Sequence, residues 1–227
     1  MSDKPLAVVL TSGGLDSCVT AAVAALDHTL ALMHATYGQR TAARERQAFE
    51  QIADHFQVPP KRRLVLDIGF LAAIGGSALT DVRIDIPEGA PGAGIPATYV
   101  PFRNAHLLAS GVSWAEVLGA RAIYIGAVEE DSSGYPDCRE AFIEAFERVV
   151  QLGTVAGTQL TVHTPLIRSN KAQIVARGLA LNAPLHLTWS CYQREQIACG
   201  RCESCYLRLK GFREAGVVDP IPYEMPG

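Results

Sequence analysis

Short apolar runs rich in β-branched residues alternate along the chain with longer segments whose apolar positions recur every three to four residues. The runs at Leu6–Leu10, Leu30–Thr36, Arg63–Asp67, Ala122–Gly126 and Leu160–His163 predict strands. Helical spacing predicts helices at Asp16–Leu26, Ala42–Phe56, Asn104–Leu118, Asp137–Gln151 and Lys171–Leu181, with a last one beginning near Glu203. Strand and helix in strict alternation is the pattern of a doubly wound α/β domain, a mostly parallel sheet with helices on both faces. One connection breaks the rhythm. Ile74 to Asn104, "IGGSALTDVRIDIPEGAPGAGIPATYVPFRN", is long and rich in turn residues, which predicts a binding loop or lid. A disordered insertion is the alternative, but the closing "TYVPFRN" has too many aromatic and apolar residues for one.

Bulk properties narrow the classes. A chain of 227 residues suits one well-cored domain with an appendage, and we place the division at 1–185 and 186–227. At 48% hydrophobic and 19% charged, with a net charge of -3, it has the composition of a globular protein and no basic excess for a nucleic-acid backbone. No segment has the length and apolarity of a membrane span, and "MSDKPLAVVL" shows no export signal. A cytoplasmic location is therefore expected. There the six cysteines read as metal ligands or thiols rather than disulfides.

The first chemical signal is "VVLTSGGLDSCVT", a strand that enters a helix through small residues. Gly13 and Gly14 let the main chain approach an anion, and Ser12, Ser17 and the first N–H groups of the helix can donate to phosphate oxygens. The Gly-Lys-Ser/Thr ending of a Walker loop is absent. Asp16, a carboxylate beside that site, suits a magnesium ion between it and the phosphates. Thr11, Ser12, Gly13, Gly14, Leu15, Asp16, Ser17, Cys18, Val19, Thr20 and Ala21 are the candidate nucleotide-binding stretch; a simple helix cap is the rival reading.

The second signal is "CYQREQIACGRCESC", which carries Cys191, Cys199, Cys202 and Cys205. Four thiols so close can close a tetrahedral shell around zinc, and an iron–sulfur cluster accepts the same ligands. With no open position, such a metal would be structural, pinning the C-terminal helix to the main domain. Cys18 reads as a small buried residue, and Cys138 lies just inside the helix expected after Pro136 and Asp137. Arg40, Arg103 and Lys171 are candidate cations for phosphate or a substrate carboxylate, Arg103 by a bidentate clamp. Tyr99, Phe102 and Tyr135 can stack on a flat ring or fill core, and Asp137 can accept hydrogen bonds from amino groups or cap a helix.

"SGGLDS" resembles the signature loop of the PP-loop ATP pyrophosphatase superfamily, which implies an adenine-nucleotide alpha-hydrolase-like fold and cleavage of ATP between its α- and β-phosphates. Further pieces follow in order: "YGQR" at Tyr37, "GGSALT" at Gly75, "TYVPFRN" at Thr98, "SGYPDCR" at Ser133, "HTPL" with "NKAQI" from His163, "WSCY" at Trp189, then the cysteine run and "GFREAGV". Together they resemble the 7-cyano-7-deazaguanine synthase family over essentially the whole chain. The resemblance implies 7-carboxy-7-deazaguanine and ammonia as substrates, two rounds of ATP-driven adenylation, a structural zinc, and a homodimer. It implies that Ser12, Asp16, Ser17 and Lys171 serve catalysis, and that Arg40, Tyr99, Arg103, Tyr135 and Asp137 meet the substrate. Thr41, Phe102, Val128 and Ser132 depart from the family's usual residues. Rival readings are a relative acting on another carboxylate, a tRNA-modifying PP-loop enzyme, and a zinc-stabilised nucleotide-binding module without catalysis.

Overall fold

The computed structural model describes residues 4–129 and 134–224. Five strands, β1 (Leu6–Leu10), β2 (Thr29–Thr36), β3 (Arg63–Asp67), β4 (Ala122–Ile125) and β5 (Thr161–His163), form a sheet in the order β3-β2-β1-β4-β5, with every pair parallel. The helices are α1 (Leu15–Asp27), α2 (Ala42–His55), α3 (Phe70–Ile74), α4 (Arg103–Leu118), α5 (Glu140–Gly153), α6 (Lys171–Ala180) and α7 (Glu203–Glu214).

The continuous apolar run of β1 follows from burial on both faces. Val8 and Leu10 point into one cluster with Ile123, Ile125 and Leu108 of α4; Ala7 and Val9 point into another with Cys18 of α1 and Phe49 and Ile52 of α2. In register, Val8 stands opposite Ala31 on one side and Ile123 on the other. The chain runs outward from β1 through β2 to β3, then returns to add β4 and β5 on the opposite side. Between β1 and β4 the strand order therefore reverses, which opens a crevice at their carboxyl ends. Gly126, just past β4, sits so close to the start of α1 that a Cβ there would lie 3.1 Å from the Ser17 nitrogen.

The doubly wound parallel architecture is as expected, and three local readings are corrected. Gly126 lies outside β4 and Leu160 outside β5. The helix expected from Asp137 starts at Glu140; Pro136–Cys138 form a single tight turn and Arg139 is extended. Its cause is tertiary, because the Asp137 carboxylate accepts the Asn104 N–H at 2.9 Å and is thus drawn to the start of α4. Helix α3 escaped notice because five residues are too few to display a period. Among the described residues no helix is long and apolar enough to cross a membrane.

The 75–102 segment has no regular helix or ladder, yet it is firmly held. Arg40 donates to the carbonyls of Asp81 (2.9 Å) and Ile84 (2.6 Å), Gly89 N–H donates to Arg201 O, and Glu203 N–H donates to Pro87 O. The loop thereby bridges the region after β2 and the cysteine-rich start of α7. Gly134 seals it on a third side, since a Cβ there would collide with Pro96 and the Gly94 carbonyl.

Candidate active site

The loop between β1 and α1 has the geometry of an anion site. Gly14 is the extended N-cap of α1, and Cys18 N–H is the first to reach back, to Gly14 O at 3.1 Å. The N–H groups of Leu15, Asp16 and Ser17 have no intrahelical acceptor and sit at the positive end of the helix dipole. Ser17 Oγ donates to Gly14 O at 3.0 Å and lies 3.1 Å from Ser12 Oγ, so the two hydroxyls share one mouth. Gly13 has φ +90°, and a Cβ on it would lie 2.5 Å from Glu45 O. Any other residue would lever the loop away from α2. Gly13 O accepts the Trp189 N–H at 2.9 Å, which ties the loop to the "WSCY" segment as well.

His34 anchors the loop from beneath. It is 1% exposed, stacks on Phe49, and its Nδ1 lies 3.0 Å from Thr11 O, so Nδ1–H is the donor. Burial pushes its pKa below the ordinary 6.5, against the opposing Thr11 hydrogen bond. Below about pH 6.5 the unfolded chain therefore binds a proton that the folded chain refuses, and stability present above that pH is lost as pH falls. A urea midpoint that drops from pH 7.5 to 5.5 in the parent, and drops less in His34→Gln, is the expected result. Equal drops would remove His34 from the acid limb.

Above the loop, a cavity of about 240 Å³ is lined by Ser12, Gly14, Asp16 and Ser17 on one side, and by Arg103, Tyr135, Lys171 and Trp189 on others. Lys171 opens α6 through a capping box between Asn170 and Gln173, and its Nζ meets Asp16 Oδ2 at 2.7 Å. Asp16 Oδ1 is buried without a partner. Gly211 of α7 lies over Lys171, where a Cβ would come within 2.6 Å of the Lys171 Cβ, so α7 sets the height of that side chain. Arg103 donates to Tyr37 Oη at 3.1 Å and forms no ion pair among the described residues; its buried Nε has no acceptor. A cation so placed attracts an anionic ligand. Burial pushes the Tyr37 phenol up to about 12 and raises the Glu45 carboxyl against hydrogen bonds from Gln39 and Thr41. The Cys18 and Cys138 thiols, pushed by burial to about 12 and about 11, are protonated and unreactive near neutral pH.

A second pocket of about 100 Å³ adjoins the first and shares Asp16, Tyr135, Lys171, Tyr192 and Ser204 with it. Its far walls are the long loop and the first turn of α7.

Of the candidate residues, Thr11, Ser12, Gly14, Leu15, Asp16, Ser17, Arg103, Tyr135 and Lys171 line the cavity. Gly13, Cys18, Val19, Thr20 and Ala21 lie behind this surface, in the turn and in α1. Arg40, Tyr99 and Asp137 line neither pocket. Arg40 grips the long loop, Tyr99 Oη accepts the Phe102 N–H at 3.0 Å, and Asp137 holds the start of α4. Among the departures, Val128 lines the cavity at 1% exposure, Thr41 donates to Glu45, Phe102 is exposed in a left-handed conformation, and Ser132 falls outside the described residues. Sequence reasoning missed Glu45, Glu203, Ser204 and Arg208. Only Glu203 and Ser204 stood inside a noted motif, the cysteine run. Arg208 is 1% exposed and grips Asp219 with two bonds of 2.7 and 2.9 Å while donating to Thr188, which braces the segment before Trp189.

Cys191, Cys199, Cys202 and Cys205 are all buried, with their sulfurs within 4.8 Å of one another. A tetrahedral thiolate site with metal–sulfur bonds of about 2.3 Å has sulfurs about 3.8 Å apart, and Cys199 and Cys205 lie 3.9 Å apart. The N–H groups of Gln193, Arg194 and Cys199 point at Cys191 Sγ, and hydrogen bonds with Cys202 and Cys205 hold its thiol well below the ordinary range. The donor set fits a metal ion. Its surroundings are Ala48, Ala78, Ile86 and Trp189, which belong to α2, the long loop and the cavity wall.

The chain matches the family model described as "Queuosine biosynthesis protein QueC" over residues 6–216. It is similar to a 7-cyano-7-deazaguanine synthase of Acidobacterium capsulatum, 57% identical and covering 96% of each chain. Proteins of the same name from Koribacter versatilis and Chlorobaculum parvum are 55% and 53% identical, covering 97% and 96% of this chain and 94% and 96% of theirs.

Proposed function

The chain belongs to the QueC family of queuosine biosynthesis proteins, and from that premise we propose that it converts 7-carboxy-7-deazaguanine and ammonia to 7-cyano-7-deazaguanine with ATP. The observation that carries this reading at the level of the site is the junction of the two pockets: the anion-binding turn and a second recess meet at Asp16 and Lys171. A nucleotide and an acid held on either side would bring a carboxylate oxygen to the α-phosphate.

In the first round that oxygen attacks the α-phosphorus and the bond to the bridging oxygen breaks, so pyrophosphate leaves into the turn. Ammonia then attacks the acyl carbon; AMP and a proton leave, and the amide remains. In the second round the amide oxygen attacks a second ATP, pyrophosphate leaves again, and loss of AMP and two protons gives the nitrile. The N–H groups of Leu15, Asp16 and Ser17 and the hydroxyls of Ser12 and Ser17 would hold the charge growing on pyrophosphate, an electrostatic role that needs no Walker lysine. Lys171 would answer the charge at the α-phosphate, and Arg103 would orient the substrate carboxylate against the aromatic wall of Tyr135. Arg40, Tyr99 and Asp137 would serve the substrate through the segments they hold. The free Asp16 Oδ1 suits a magnesium ion, which when bound supplies further neutralisation of phosphate charge.

Zinc is the metal that best suits four thiolates in a reducing cytoplasm, the compartment we assign. In the same reading, residues 1–185 carry the nucleotide chemistry, residues 186–227 are the metal-binding segment, and the working form is a homodimer. The test is to incubate the purified protein with ATP, magnesium, ammonium and 7-carboxy-7-deazaguanine. Formation of two molecules of AMP per nitrile, dependent on the deazapurine, is the expected result. AMP formed only with a different acid would shift the substrate, and none with any acid would sink the enzyme reading.

A further inference from the structure

The second pocket contains a carboxylate that the reaction so far leaves unused. Glu203 is 7% exposed, forms no ion pair among the described residues, and has one side-chain hydrogen bond, from Thr98 Oγ1 to Oε2 at 3.5 Å. Thr98 has a single proton. If it donates to Glu203, it accepts from Tyr135 Oη, which lies 2.7 Å away. This leaves Glu203 Oε1 with no donor from the described residues, in a recess whose other walls include Pro91, Pro96, Tyr135, Tyr192 and Leu207. That oxygen opens on the recess, where a ligand that donates to the largely buried carboxylate gains a charge-assisted hydrogen bond.

We propose that Glu203 is the specificity residue of the substrate site, accepting the ring N1–H and the 2-amino group of the deazaguanine on its carboxylate. The inference rests on the reaction proposed above. Two parallel N–H donors on one edge of a flat ring match the two oxygens of a carboxylate, as bidentate pairs do elsewhere. Prolines, tyrosines and a leucine provide flat apolar walls for the ring faces. With that edge on Glu203, the opposite side of the ring turns toward Asp16 and Lys171, which the second pocket shares with the phosphate cavity. Asp137, the residue expected from sequence to read this edge, is engaged at Asn104 instead.

Placement of Glu203 depends on the cysteine knot. Cys202 is the N-cap of α7 and Cys205 lies one turn further, so two ligands of the metal site flank this carboxylate. Glu203 N–H donates to Pro87 O at 3.1 Å, which fixes the same residue against the long loop. The metal site, on this view, sets substrate selectivity as well as stability.

The experiment compares kcat/KM for 7-carboxy-7-deazaguanine and for its analogue lacking the 2-amino group, in the parent and in Glu203→Gln, with bound metal measured in both. The parent should favour the natural substrate by at least about 100-fold, because a site built to accept a donor rejects a ligand without it. In Glu203→Gln, whose amide N–H₂ opposes the ring donors, this preference should shrink to within about 5-fold through KM of the deazapurine, with KM for ATP and metal content unchanged. A preference that survives the substitution would overturn the role of Glu203 alone. Failure of the parent to form AMP with either compound would overturn the proposed reaction and this inference with it. Leu207→Trp gives an independent reading of the recess: it should raise KM for the deazapurine by at least about 10-fold and leave KM for ATP in place, and an unaltered deazapurine KM would place the substrate elsewhere.

Discussion

Replacing Cys202 by serine should empty the metal site and lower the melting temperature by at least about 8 °C. All four sulfurs belong to one buried cluster, and Cys202 is fully buried at the start of α7. Serine keeps the size but offers no thiolate, so three ligands remain and the site loses its closed tetrahedral set. Structural four-ligand sites contribute on the order of 10–16 kcal/mol in small metal-dependent folds. Losing even ~4 kcal/mol of this shifts the transition by roughly 8–16 °C in a chain of this size. The consequences reach the cavity. Without the metal, the residues next to Trp189 lose their tether, and α7 no longer carries Gly211 firmly over Lys171. Elemental analysis and thermal unfolding of the same preparation check the prediction. A Cys202→Ser protein with a full metal complement, or with an unmoved melting temperature, would refute a structural metal.

Lys171→Met should lower kcat by about 100- to 1,000-fold while changing stability little, the magnitude typical of losing one preorganised charge at a reacting group. Methionine keeps length and apolar stem, so the packing of Gly211 over this residue survives. What disappears is the ammonium that lies 2.7 Å from Asp16 at the boundary of both pockets. That pair is partly exposed, at 14% and 28%, and pairs open to solvent contribute at most about 1 kcal/mol. A strong loss of rate with a small change in unfolding midpoint therefore separates a catalytic lysine from a structural one. If kcat fell less than about 5-fold, Lys171 would be only the partner that holds Asp16 in place.

Chemistry written in contiguous residues was the legible part. "TSGGLDS" announces its turn because glycine conformations and helix-end N–H groups are local properties, and Gly13 at φ +90° fulfils that expectation. "CGRCESC" announces its cluster because short spacings force the thiols together. Alternating apolar runs likewise dictated five parallel strands and their helices, since the central strands β1, β2 and β4 are buried on both faces. Isolated polar residues were only partly legible, for the opposite reason: Arg103 and Lys171 do line the cavity, but others are drawn elsewhere. Arg40 and Asp137 have the chemistry of ligand-binding groups, yet one holds the carbonyls of Asp81 and Ile84 and the other holds the N–H of Asn104. An Arg or an Asp serves a backbone as readily as a substrate, and the partner is named only when distant segments meet.

Glu203 and Lys171 show the same division most sharply. In the chain, Glu203 is one polar residue between two cysteines, and Lys171 is the first residue of a well-capped helix. Periodicity and motif spacing set the α/β architecture, the glycine turn before α1 and the cysteine cluster, because those depend on neighbours within a few residues. Lys171 was already a candidate cation in the sequence; that it meets Asp16, and which carboxylate lines the adjoining recess, depended on how α6, α7 and the 75–102 loop pack beside the β1–α1 turn. Such contacts join residues more than a hundred positions apart, as Lys171 to Asp16 and Glu203 to Thr98 do, and no local pattern encodes them.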